Sequence, residues 1–318
     1  MRGYLHPATR ALAALLLLVG AAACAQGSPA PSREQIAVSG AWALYPMMVH
    51  WAEVYRESHP TVLIDVSAGG AGKGIADTLS GVADIGMVSR DLSAEEVAQG
   101  AFAVAVTKDA VFPVVSADNP YLDRLLLRAA PRDALAAVFI TGEAASWGQL
   151  IGDAAVDTAI HVYTRSDACG AAEVWAQYLG GRQEDLLGIG VYGDPGILDA
   201  VINDPLGIGF NNLGYVFDLS TDRPVAGAVV LPIDLNGNGQ ADAEEMLETR
   251  TEAVEAIAAG RYPSPPARDL FLVTRGQPTG AVRELIRWIL VEGQQYVDEA
   301  GYVHLSDEQL QDELQKVH

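Results

Sequence analysis

One arrangement occurs three times in this chain and limits its fold more than any other feature. A short β-prone run leads into a loop of glycine and small residues, and a helix-forming stretch follows, at residues 39–46, 67–74 and 165–171. β-rich runs that alternate with amphipathic helices demand an α/β fold of mixed sheets flanked by helices. The 318 residues suit about two domains, and half of them are apolar, enough for a sizeable core.

Periodicity predicts the elements in turn. Residues 36–38 form a strand, and Pro46 suits the first turn of a helix that runs to about Ser58. Met47, Met48, Trp51 and Tyr55 share one face of that helix. Residues 62–66 and 84–88 are strands on either side of a short helix ending at Gly81. Residues 102–106 and 111–115 read as two buried strands that make a first crossing between domains, and residues 270–274 as the return. Between them lie strands at 160–164 and 206–210, and a helix that begins at Asp167 and stops at Gly180. Residues 279–301 are strongly helical, with Leu285, Ile286 and Ile289 on one face.

A helix start offers chemistry. Its first N–H groups lack intrahelical partners, and the helix dipole places about half a positive charge there. Three such starts, flanked by glycines that let a ligand approach, would make an anion cradle if they converged; ordinary connections have the same look. Arg165 precedes one of them, with Asp167 placed to hold its guanidinium fork, and Arg90 follows another strand end. Either arginine could instead be a structural ion pair. Residues 69–74 resemble a phosphate loop, but Gly74 follows Lys73 where a magnesium-binding hydroxyl is needed, so that reading is discarded.

Charge excludes one class of partner. Twenty Lys and Arg against 41 Asp and Glu leave −21, and no basic stripe offers a surface for nucleic acid. Two distant cysteines exclude a disulfide scaffold or a cysteine zinc site. Arg2 and Arg10 precede an apolar stretch of small residues up to Cys24, the composition of a secretory signal over residues 1–23. Ala21-Ala22-Ala23-Cys24 resembles a bacterial lipoprotein cleavage box, with Cys24 lipidated; ordinary cleavage nearby is the alternative. Residues 24–35 read as a flexible tether. The expectation is an exported protein, lipid-anchored on the extracytoplasmic face or periplasmic.

The chain also carries a longer series of motifs in order. These are Ser39-Gly40-Ala41-Trp42-Ala43-Leu44-Tyr45-Pro46, Ser67-Ala68-Gly69-Gly70, Ala83-Asp84-Ile85-Gly86-Met87-Val88-Ser89-Arg90, Arg165-Ser166-Asp167-Ala168-Cys169-Gly170 and a late Gly293-Gln294-Gln295-Tyr296. The series resembles the phosphate-binding protein of the bacterial phosphate ABC transporter over about residues 35–305. That resemblance implies a class II periplasmic-binding-protein fold: two α/β lobes joined by two crossing strands, with an oxyanion held dehydrated between them and delivered to a membrane permease. Lobe one would hold residues 36–109 and 270–318, and lobe two residues 110–269. The ligand set it implies is Ala41, Trp42, Ala43, Leu44, Ser67, Ser89, Arg90, Arg165, Asp167, Cys169, Gly170 and Ala171.

Several of these positions depart from the family. Ala41, Trp42 and Ala43 stand where it has serine and threonine, and Cys169-Gly170-Ala171 replaces its Ser-Gly-Thr. A charge-assisted hydrogen bond is worth about 1.5–3 kcal/mol, so losing three or four removes orders of magnitude of phosphate affinity. Trp42 points to a larger or less hydrated anion, such as an organic acid. Cys169, in a first helical turn near Arg165, also raises a cysteine-dependent hydrolase as a rival, although no histidine lies in a pairing motif.

A last motif is separate. Residues 234–245 fit the twelve-residue EF-hand calcium loop, with oxygen ligands from Asp234, Asn236, Asn238, Asp242 and Glu245, and the main-chain carbonyl of Gln240. Gly239 supplies the sharp turn, while Pro232 stands where a full EF-hand has its first helix. A lone structural calcium loop is expected. The function expected is a monomeric solute-binding protein of an ABC importer, not an enzyme, taking phosphate or a related oxyanion; a binder or sensor of an organic anion is the alternative.

Overall fold

The structure is a computed structural model and describes residues 34–318. The signal segment, Cys24 and most of the expected tether lie outside the described residues. The first strand, β1 (Glu34–Gly40), begins two residues before the expected start, because Glu34 N–H already bonds Thr61 O at 3.1 Å.

β1 pairs in parallel with β2 (Val62–Ala68) on one side and β3 (Ile85–Val88) on the other. The long β4 (Ala101–Ser116) follows, then β5 (His161–Arg165), β6 (Ile189–Val191) and β7 (Gly207–Asn212). β8 (Phe217–Asp218) and β9 (Arg223–Pro224) make a separate ribbon. β10 (Ala228–Val230) lies against β4, and β11 (Ala267–Arg275) closes the set. The path runs β2-β1-β3-β11-β4-β7-β5-β6.

Two strands of that path belong to both halves. β4 pairs with β11 as far as Ala110 and with β7 from Val111 onward. β4 is one continuous strand where the hydropathy predicts two. The polar Thr107 and Asp109 that break the apolar pattern are fully buried and bonded sideways: Thr107 Oγ1 donates to Val303 O at 2.8 Å, and Asp109 Oδ1 accepts from Leu213 N at 3.2 Å. Extended backbone therefore continues through them. The β4–β11 register slips between Leu270 and Phe271, a bulge that bends the pair near the crossing.

Each half has its own core. In the first, the Tyr45–Ser58 helix buries Met47, Met48, Trp51 and Tyr55 on one face, and Leu285, Ile286 and Ile289 of the Gly280–Val291 helix join them. Trp51 Nε1 donates to Gly293 O at 2.8 Å, which ties the early helix to the late chain. In the second, Phe112, Phe139, Trp147, Trp175 and Phe210 pack together. The late chain straddles both: Tyr302 packs into the first core and Val303 into the second.

Candidate functional site

The C-terminal ends of β1, β3 and β5 face one another across the junction of the halves. The contacts there are close. Gly72 N–H donates to Ala168 O at 3.1 Å, Tyr215 Oη to Trp42 O at 3.1 Å, and Arg268 Nε to Ser89 O at 3.2 Å. A β-carbon on Gly170 would fall 2.3 Å from both the carbonyl oxygen and the hydroxyl of Ser89. On Gly70, with φ of 91°, it would fall 2.7 Å from Ala168 O. Glycine at these two points lets backbone meet backbone, and the lobes are closed.

Arg165, the last residue of β5, is the central cation, its side chain 1% exposed. Nε donates to Asp167 Oδ1 at 2.8 Å and Nη2 to Asp167 Oδ2 at 2.6 Å, a bidentate pair. Nη1 donates to Asp194 Oδ2 at 2.7 Å. A guanidinium has five N–H groups, so one on Nη1 and one on Nη2 remain. Burial alone would oppose the charge; Asp194 leads the groups that outweigh it, and the Arg165 pKa is held above its ordinary value.

Asp194 extends the network inward. It is 1% exposed and sits in the first turn of the Gly193–Ile202 helix. Its Oδ1 accepts from Asn212 Nδ2 at 2.5 Å, and its carbonyl accepts from Asn211 Nδ2 at 2.8 Å. Asn212 Oδ1 in turn accepts from Arg268 Nη2, which also lies 3.3 Å from Asp109 Oδ2. A chain of buried polar groups therefore runs from the lobe junction to the crossing strands. Burial pushes the Asp194 carboxyl up despite Arg165, and pushes Asp109 up to about 6 despite Arg268.

The residues expected from sequence fall into three groups. Arg165, Asp167, Ser89, Gly170 and Ala171 meet at the junction, all buried or nearly so. Trp42 is there too: its ring packs against Gly193 and lies edge-on to Tyr192 with centroids 6.0 Å apart, and its buried Nε1 has no partner. Others are displaced. Ala41 N–H is taken by Met87 O at 2.8 Å, Leu44 is fully buried in the first core, and Ala43 O accepts from Tyr302 Oη at 2.8 Å. Ser67 is exposed and donates to Val38 O at 3.3 Å. Arg90 is held by Glu96 at 2.7 and 2.9 Å and by Asp91 O, so it is a structural ion pair.

Cys169 is no nucleophile. Its helix starts at Gly170, later than the expected Asp167, and Cys169 is the cap: Sγ accepts from Ala172 N at 3.5 Å. Burial pushes its pKa up to about 12, opposite to the lowering that the sequence suggested. The histidines pair elsewhere, His161 with Asp204 and His304 with Asp298.

Asp194, Asn211, Asn212, Asp109 and Arg268 are absent from the sequence expectation. One signal was available: residues 189–194 are a fourth strand–glycine–helix junction, with an aspartate in the helix's first turn.

The loop at 234–245 is wound on itself. Asp234 accepts from Gly237 N and Gly239 N, Asn236 Oδ1 from Asn238 N, and Asn238 Oδ1 from Gln240 N. Both asparagine amides point at Asp242, and the buried Glu245 accepts from Leu235 N and Asp242 N. Among the described residues no three His, Cys, Asp or Glu side chains cluster as a metal site, so any site here would depend on the asparagines and main-chain carbonyls as well.

The Bacillus subtilis phosphate-binding protein PstS is 26% identical over 276 residues, which cover 86% of this chain and 81% of that one. The fold matches a Clostridium perfringens protein assigned as a phosphate ABC transporter substrate-binding protein with bound phosphate, at TM-score 0.70 and 23% identity, over 86% of this chain and 100% of that one. It also matches an ABC-type phosphate transport receptor from Vibrio cholerae, at TM-score 0.62 and 20% identity, over 85% and 100%. Residues 25–292 match the PBP superfamily domain, most of the chain, and with its two cores bridged by shared strands this protein belongs to the PBP superfamily.

Proposed function

We propose that the protein is an extracytoplasmic solute-binding protein that closes on a small oxyanion, phosphate first, and presents it as a monomer to an ABC permease. The observation that carries this reading is Arg165: a buried guanidinium at a strand end beside the start of the Gly170–Leu179 helix, with two N–H groups still free to donate. The phosphate binding of the Bacillus and Clostridium proteins supports it. The lobes divide at residues 109/110 and 269/270, and the bulge at Val106 of β4, opposite Leu270 and Phe271, is where they hinge. A binder needs no nucleophile, and the capped, buried Cys169 supplies none.

The test is a thermal melt of mature protein, calcium constant, with phosphate, sulfate, molybdate, tungstate and a panel of organic acids. A ligand at 100 times its dissociation constant stabilises by about 2.7 kcal/mol, a shift of several degrees. A shift with no anion ends the reading. A second reading, an organic anion, is favoured by Trp42, whose buried indole N–H lacks a partner at the junction; a shift with a carboxylate but not phosphate selects it.

Two further parts belong to the same reading. Cys24 is the lipid-bearing first residue of the mature chain; Cys24→Ser would release the protein from membranes, and unchanged membrane retention would refute it. The loop at 234–245 holds one calcium ion through Asp234, Asn236, Asn238, the Gln240 carbonyl, Asp242 and Glu245, as a structural brace. Chelator should lower the melting temperature and leave the anion profile unchanged; an identical melt would refute the brace.

A further inference from the structure

Arg165 is shared by two carboxylates, and only one of them is accounted for. Asp167 grips Nε and Nη2 face-on, as a positioning group should. Asp194 comes from a different helix, takes Nη1 alone and is equally buried. Before any ligand arrives, the pair of aspartates leaves the Arg165 end of the network with one net negative charge. Arg268 and Asp109 balance each other at the far end. An anion brought into this dehydrated junction would face a carboxylate already seated on its arginine, and like charges in a low-dielectric site cannot both stay ionised at little cost.

We infer that Asp194 is an internal counter-anion: it holds Arg165 while the cleft is empty, and an incoming oxyanion binds with uptake of one proton from solvent by the Asp194 carboxylate. The anion forms its hydrogen bonds to Arg165, the proton adds to Asp194, and no bond between heavy atoms changes. Anion affinity therefore rises as pH falls. This rests on the anion reading above and deepens it.

The groups facing Asp194 agree. From β5 and its loop come Arg165, Asp167 and Cys169; from β11 Arg268; from β7 Asn211 and Asn212; from β4 Asp109; and Tyr215 and Tyr302 lie within electrostatic reach. Arg165 and Arg268 favour the carboxylate, whereas full burial, Asp167 and Asp109 favour its protonated form. The balance holds the carboxyl above its ordinary range, where it can change charge when an anion joins it on Arg165.

Asp194→Asn tests this by phosphate titration across pH. The variant keeps the side-chain shape, and its one amide oxygen can still accept a hydrogen bond in the network. At about pH 7.5 it should bind phosphate about tenfold or more tightly than wild type, and the ratio should shrink as pH falls and the wild-type carboxylate takes up its proton unaided. The ratio cancels phosphate's own titration. Equal or weaker binding at about pH 7.5, or a ratio constant with pH, overturns the counter-anion while leaving the anion reading intact. If neither protein binds phosphate at any pH, the anion reading fails first. If the variant does not fold, calorimetry of wild type from about pH 5.5 to 7.5 in two buffers decides: proton uptake beyond what phosphate's own titration explains marks the protein, and its absence throughout that range overturns the inference.

Discussion

The two lobes meet at their junction with opposite chemistry. Lobe one presents backbone and carbon: Trp42, Gly70 and Gly72, with Ser89 a buried hydroxyl against the other lobe. Lobe two presents ions: Arg165 between Asp167 and Asp194, tied to Asn212 and onward to Arg268. The difference assigns the labour. Lobe two holds charge in a fixed geometry, and lobe one seals it from water, which makes the same ionic contacts stronger. Specificity then depends on how lobe two's charges are balanced, and affinity on how closely lobe one can approach.

The largest expected effect lies on the ionic side. Arg165→Ala strands two buried carboxylates, so it should abolish anion binding and also lower stability by about 3–5 kcal/mol in denaturant unfolding. Wild-type stability would show that the two carboxylates are accommodated without their arginine. On the sealing side, Trp42→Ala removes a ring that is only partly buried and should cost about 2 kcal/mol, with weaker anion binding. Unchanged affinity would show that lobe one seals without it.

Asp109 probes the far end of the ionic chain. Its folded pKa of about 6 lies above the ordinary 3.8, so the folded state holds that proton more tightly. The resulting stability is complete below pH 3.8 and is lost as pH rises to about 6. Asp109→Asn should remove this loss, gaining on wild type by on the order of 1–2 kcal/mol between those limits. A difference that does not vary with pH would contradict the raised pKa.

Gly170→Ala separates closure from folding. Alanine favours a helix by up to about 1 kcal/mol over glycine, so lobe two itself should not suffer. The added carbon meets Ser89, so the variant should stay open, with a larger radius by solution scattering and weaker anion binding. The smallest effect belongs to Arg90→Ala. Its pair with Glu96 is partly solvated, side chains 21% and 16% exposed, so loss should stay within about 1 kcal/mol and leave anion affinity unchanged.

How much of this was legible in the sequence differs by element. The Tyr45–Ser58 helix and the strand ends follow from local periodicity, since the apolar face and Pro46 lie within one turn of each other. Arg165 and Asp167 were legible because both sit in a single loop. Ser67 and Arg90 were misread although the sequence held the correction. Strand alternation in β2 buries Val62 and Ile64 and turns Leu63, Asp65 and Ser67 outward. Ser93 with Glu96 is a capping box that places a carboxylate beside Arg90. Asp194 is another matter: it bonds Arg165 from 29 residues away, and Arg268 meets Asn212 across 56. The junction at residues 189–194 marks the helix start, but only the folded topology shows which partner its aspartate meets.

The sharing of β4 and β11 also sets an order of assembly. The residues between these strands make up the body of lobe two, whereas the sheet of lobe one lacks β11 until residue 275 is present. A chain folding as it emerges from its N-terminus can thus hold most of lobe two while lobe one waits with β3 and β4 still unbridged, although the second core itself awaits Val303. On this topology the binding junction, which needs both lobes, is the last part that can become competent.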